Sequence, residues 1–117
     1  MKPREPSNFF EFWTFYLSQH LNPVSRVLHY AGTMTGVGLL LLFLISGEWF
    51  KVPLAILPGY AFAWIGHFVF ERNRPATFKY PLWSFRADFV MLWCFLTGKL
   101  SGELNRPEVQ GYRELQR

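Results

Sequence analysis

Residues 27–45 read VLHYAGTMTGVGLLLLFLI, and residues 52–70 read VPLAILPGYAFAWIGHFVF. Each run is 19 residues long and holds no Asp, Glu, Lys or Arg. A helix rises about 1.5 Å per residue, so about 20 apolar residues cross the ~30 Å hydrocarbon core of a bilayer. Only SGEWFK at 46–51 separates the runs, which leaves room for a tight reversal and nothing more. The two runs predict a transmembrane hairpin; the competing reading is a buried helical pair in a soluble oligomer. Gly32-x-x-x-Gly36 marks a place where another helix can approach closely. Pro58-Gly59 would kink a water-exposed helix, but membrane helices tolerate both when neighbours satisfy the freed backbone groups.

Before the hairpin, residues 8–21 read NFFEFWTFYLSQHL. Asn8 with Glu11 three residues later is the capping-box spacing, so a helix starts there. Its mixture of aromatic and polar residues suits a helix lying in the membrane interface, where Trp and Tyr concentrate. The soluble alternative is a short amphipathic core helix. Asn22-Pro23 ends this helix, because the residue before proline is pushed out of the α region. Ser25 is then available to cap the next helix.

After the hairpin, ERNRPATFKY at 71–80 reads as a basic loop, and residues 81–98 read PLWSFRADFVMLWCFLTG. The uncharged part, 89–98, is only ten residues, which suits a re-entrant or interfacial helix. A third span remains open if Arg86 snorkels and Asp88 pairs inside the bundle; the two together read as a buried polar pair fixing this helix. Residues 99–117 read as a polar tail. The expected fold is all-α: a small integral membrane bundle forming a single domain.

Composition narrows the function classes. The chain has 117 residues, half of them hydrophobic and one fifth aromatic, which excludes a disordered chain. The mean hydropathy of +0.08 averages the two uncharged runs against polar ends. The net charge is +4, but its basic residues form no run interleaved with aromatics, so a nucleic-acid partner is not expected. Cys94 is the only cysteine, which excludes an internal disulfide and a CxxC metal site. With two spans, eleven of the twelve Lys and Arg residues share one side and Lys51 alone lies opposite. The positive-inside rule makes that side cytoplasmic, termini included, in a bacterial inner membrane or, in a eukaryote, the endoplasmic reticulum.

Three histidines are present: His20, His29 and His67. His29 begins the first run and His67 ends the second, so an antiparallel hairpin sets both at one depth; with His20 just before the Pro23 break, all three histidines can reach one depth. Glu71 follows His67 by four residues, on the same helix face if the helix continues. Ionisable groups at the end of a span are costly unless paired or ligated. Three imidazoles and a carboxylate can hold Fe(II), Mn(II) or Zn(II), and such nitrogen–oxygen sets suit oxygen-activating iron. The bland readings are a histidine capping a freed carbonyl, and Glu71 paired with Arg72, Arg74 or Arg26.

His20-x-Asn22-Pro23-(x)5-His29, followed by Gly66-His67-x-x-x-Glu71 and Arg74-Pro75-Ala76, resembles the family of small membrane proteins related to the yeast 2-hydroxy fatty-acid dioxygenase. The likeness runs from about residue 15 to residue 100, and Pro81-x-Trp83-Ser84 with Asp88 is similar to its short bacterial members. Longer fungal members carry extra hydrophobic sequence and a further histidine between the two blocks. The resemblance implies an Fe(II)-dependent oxygenase that takes O₂ and a 2-hydroxy fatty acid or related acyl lipid and shortens it by one carbon. It implies His20, His29 and His67 as ligands, with Glu71 as a fourth ligand, a catalytic carboxylate or a partner orienting an imidazole. Arg26, Arg72 or Arg74 would hold the substrate carboxylate, while Asn22, Arg86 and Asp88 would support the site. The rivals are a non-enzymatic membrane scaffold or lipid-binding protein, and a zinc-dependent hydrolase; a homo-oligomer is compatible with each.

Overall fold

The computed structural model describes residues 5–115, and among them every regular element is helical. The chain forms two compact units: Asn22–Arg72, and the residues up to Leu21 together with those from Asn73 onward. Lys2, Arg4 and Arg117, which enter the charge count above, lie outside the described residues.

The Asn22–Arg72 unit is the hairpin. Its first arm is α2, Pro23–Ile45, which follows the N-terminal helix α1 (Phe9–Ser18). Helix α2 starts four residues before the uncharged run because Pro23 sits in its first turn, where a missing N–H costs nothing. Asn22, not Ser25, is the N-cap: its side chain accepts the Val24 N–H, and Ser25 lies buried inside the helix. At the other end Gly47, at φ 78°, lets the Glu48 N–H reach the Phe43 carbonyl (2.9 Å), closing α2 in a Schellman turn.

The returning arm, Trp49–Glu71, is not one kinked α-helix. It runs as a 3₁₀ stretch (Trp49–Ile56, with Pro53 inside), then α3 (Leu57–Ile65), then a π-helical turn (Gly66–Glu71). Two prolines without N–H groups break the α-type ladder, and Pro58 falls in the first turn of α3, where it is tolerated. The arms meet along a seam of small residues. A Cβ on Gly32 would lie 3.0 Å from the Gly59 Cα, one on Gly36 2.9 Å from the Ala55 carbonyl oxygen, and one on Gly66 2.8 Å from the Ser25 Oγ. The close approach expected at Gly32 and Gly36 is therefore made by the hairpin's own second arm.

Large apolar side chains point the other way: Met34, Leu41, Ile45, Leu57, Trp64, Phe68 and Val69 are all exposed. Both arms are long and apolar enough to cross a membrane, and only 17% of each apolar window is buried. A core helix of a soluble protein would be mostly buried, so the pattern is inside-out by that standard.

In the other unit α1 is the core. Asn8 accepts the Glu11 N–H (2.9 Å), and the Glu11 carboxylate returns to the Ser7 N–H (2.8 Å), one residue beyond the usual capping box. Phe12, Trp13, Tyr16 and Leu17 are buried against protein, while Phe10 on the same helix is exposed. Phe12 packs on Tyr80 and Trp83 before and within α4 (Pro81–Leu96). At 16 residues α4 reaches about 24 Å, short of a ~30 Å core.

The expected polar tail is instead two helices, α5 (Leu100–Leu104) and α6 (Pro107–Leu115). They grip three consecutive residues of α1: the Trp13 indole N–H donates to Glu103 (2.8 Å), Arg106 donates to the Thr14 hydroxyl (3.0 Å), and Tyr112 meets the Phe15 ring edge-on. Val109 is fully buried. The polar composition of 99–117 hid this, because the contacts are specific hydrogen bonds around a few apolar side chains.

Candidate metal centre

His29 sits in the second turn of α2 and His67 in the π-helical turn of the returning arm. Both are buried, at 5% and 2% exposure. Their Nε2 atoms lie 3.2 Å apart and their rings are nearly perpendicular, at 85°. The equal-depth argument from the sequence thus holds for this pair. With Nε2 ligands at about 2.1 Å, a separation of 3.2 Å subtends about 100° at a shared ion, between octahedral and tetrahedral values. The donor pair fits a first-row metal.

Glu71 is the last residue of the π-helical turn, a form that recurs at functional sites. Its Oε1 accepts the Asn22 N–H at 2.7 Å, an orphan donor at the start of α2 where negative charge is favoured. Asn22 also donates from Nδ2 toward the Phe70 carbonyl (3.4 Å), so it ties the first turn of one arm to the last turn of the other. The Ser25 hydroxyl lies within reach of the Glu71 carboxylate, yet it is fully buried and makes no hydrogen bond of normal geometry. Arg26 is half-buried with its charge felt by Glu71, whereas Arg72, in the left-handed conformation (φ 57°) that ends the arm, is exposed.

In the other unit His20 is fully buried just after α1, two residues before Asn22. Its Nδ1 is 2.6 Å from the Tyr16 carbonyl oxygen, and its ring stacks on the Tyr16 ring at 4.0 Å. Donation from Nδ1 to a carbonyl leaves the Nε2 lone pair as the ligand atom. Asp88 accepts the Tyr16 hydroxyl, and Arg86 is exposed with its guanidinium 4.1 Å from the Phe9 ring centroid. The expected buried Arg86–Asp88 pair is thus two separate contacts with α1, and Arg74 is exposed. Sequence reading missed Tyr16 and the burial of Ser25. The one available signal was the four-residue spacing from Tyr16 to His20, which aligns an i−4 carbonyl with an imidazole.

All three histidines are buried, His29 and His67 in one unit and His20 in the other. A family model described as 2-hydroxy-palmitic acid dioxygenase Mpo1-like matches residues 6–100, a stretch that contains all three histidines and Glu71. No curated protein and no solved structure matches the chain.

Proposed function

Since this chain belongs to the Mpo1-like family, we propose that it is an iron(II)-dependent dioxygenase that shortens 2-hydroxy fatty acids by one carbon. The observation that carries this reading is the His29–His67 pair, two buried imidazoles with their Nε2 atoms at co-ligand separation. The family resemblance makes His20 the third ligand, and its engaged Nδ1 leaves Nε2 with a ligating lone pair. Iron(II), when bound, supplies the one-electron chemistry that lets O₂ react with the substrate.

The rest is done by the chain. Asn22 holds Glu71 by its backbone N–H, so Glu71 serves better as a fixed charge orienting the site than as a mobile ligand. Arg26, Arg72 or Arg74 takes the substrate carboxylate in a charge-assisted contact, and exposed Phe68 and Phe70 offer apolar surface to the acyl chain. Burial of the histidines keeps water from competing for the site. The overall change balances with O₂ alone: a 2-hydroxy acid plus O₂ gives the acid one carbon shorter, CO₂ and water. The two arms cross the bilayer with the Glu48–Lys51 turn on the far side and the basic ends on the cytoplasmic side.

The test is aerobic incubation of the detergent-purified protein with Fe(II) and 2-hydroxypalmitic acid, followed by mass spectrometry. Pentadecanoic acid is expected from the wild type, none from palmitic acid, and none without O₂. No shortened acid from an iron-loaded, folded wild type overturns the reading, and product formed without O₂ points to hydrolysis instead.

A further inference from the structure

Tyr16 holds His20 from two directions. It lies four residues earlier, so its backbone carbonyl receives the His20 Nδ1 at 2.6 Å. Its ring covers one face of the imidazole, with centroids 4.0 Å apart and planes 26° apart. The first contact fixes the tautomer and the second fixes the plane of the ring. Tyr16 is itself immobilised: it is fully buried, and Trp13 stacks on it at 5.8 Å and 15°. Its far end is anchored on α4, where its hydroxyl donates to the Asp88 carboxylate. A phenylalanine would fill the same space and make the same stacking contacts. What the hydroxyl adds is a charge-assisted hydrogen bond that stops the ring sliding along its own plane. The contacts therefore run from a carboxylate on α4, through a tyrosine on α1, to an imidazole.

We propose that Asp88 and Tyr16 are positioning residues for a metal-ligating His20: Asp88 anchors the Tyr16 ring, and Tyr16 sets the plane of the imidazole and the tautomer that leaves Nε2 its ligating lone pair. The assignment rests on the reading of His20 as a ligand. Groups that orient a ligating imidazole typically change metal affinity by about 10–100-fold when removed. Tyr16→Phe removes the anchor and keeps the packing. Asp88→Ala removes the acceptor, and Asp88→Asn keeps a neutral one. Because Tyr16→Phe and Asp88→Ala cut the same contact, their effects should not add.

The experiment titrates Co(II), a spectroscopic stand-in for Fe(II), into the full-length metal-free protein in detergent and follows the visible absorption bands. The wild type is expected to bind one equivalent. Tyr16→Phe and Asp88→Ala should each bind about 10–100-fold more weakly with shifted bands, the double variant no more weakly than either, and Asp88→Asn close to wild type. Circular dichroism confirms that each variant is folded. If the wild type binds Co(II) and the two single variants bind it equally well with unchanged bands, or if their effects add, the positioning assignment falls while the metal centre stands. A folded wild type that takes up no Co(II) overturns both.

Discussion

The Nε2 atoms of His29 and His67 lie 3.2 Å apart although 38 residues separate them in the chain. The contact exists because α2 and the returning arm approach through glycines, and because the π-helical turn from Gly66 to Glu71 carries His67. A single substitution should therefore have two separable effects. In the metal-free protein His67→Ala leaves His29 without this buried partner, a loss of about 1–3 kcal/mol in thermal or denaturant unfolding. Metal affinity should fall by more than about 100-fold, beyond what an orienting group alone contributes. Retained stoichiometric iron in folded His29→Ala and His67→Ala would show that the pair is only a hydrogen bond.

Glu71 discriminates between a ligand and an anchor. Its Oε1 is engaged by the Asn22 N–H, so Glu71→Gln, which keeps an acceptor, should bind Co(II) within about tenfold of wild type. Glu71→Ala strands that N–H and should lower stability by about 1–3 kcal/mol. Loss of all metal binding in a folded Glu71→Gln would make Glu71 a ligand.

The glycine seam gives a matched pair. A Cβ at Gly36 would sit 2.9 Å from the Ala55 carbonyl oxygen, whereas a Cβ at Gly38 meets nothing within 4 Å. Gly36→Ala is expected to lower the melting temperature, at a cost of about 1–3 kcal/mol for forced separation of the arms. Gly38→Ala should be neutral or stabilising by about 0.5–1 kcal/mol, since alanine loses less entropy in a helix. Equal effects at both positions would mean that the arms do not pack through this seam.

The turn between the arms reports on topology. With Cys94→Ser as background, Ser46→Cys should react with a membrane-impermeant maleimide in intact cells. Labelling only after the membrane is opened would invert the orientation derived from the basic ends.

The same turn carries a pH-dependent contact. Lys51 hydrogen-bonds and ion-pairs with Glu48, holding its carboxyl below the usual range. A carboxylate whose folded value is lowered contributes stability above its unfolded value and loses it as pH falls through the lowered one. The turn should be insensitive to pH near neutrality and weaken only in acid. Lys51→Met should bring the Glu48 titration, followed by carboxyl NMR, back up toward the ordinary range; an unchanged titration would mean that the pair does not form.

The hairpin was legible because its signal is local: two uncharged 19-residue runs flank a six-residue turn, and length alone fixes their antiparallel return. The Asn8–Glu11 cap and the Gly32–Gly36 seam were legible for the same reason, since each is a spacing within one helix. The C-terminal grip was not. Glu103 and Arg106 look like solvated charges until Trp13 and Thr14, some 90 residues away, are placed against them.

The sequence by itself determined the helical class, the two apolar arms and the three histidines that could serve as ligands, because periodicity, charge and residue type are properties of contiguous chain. Only the tertiary structure decided the returning arm's passage through 3₁₀, α and π forms, the commitment of Glu71 to the Asn22 amide, and the grip of Tyr16 and Asp88 on His20. Those depend on which backbone donors lack a partner after packing and which side chain is near enough to supply one. Such a deficit has no signature in the order of residues.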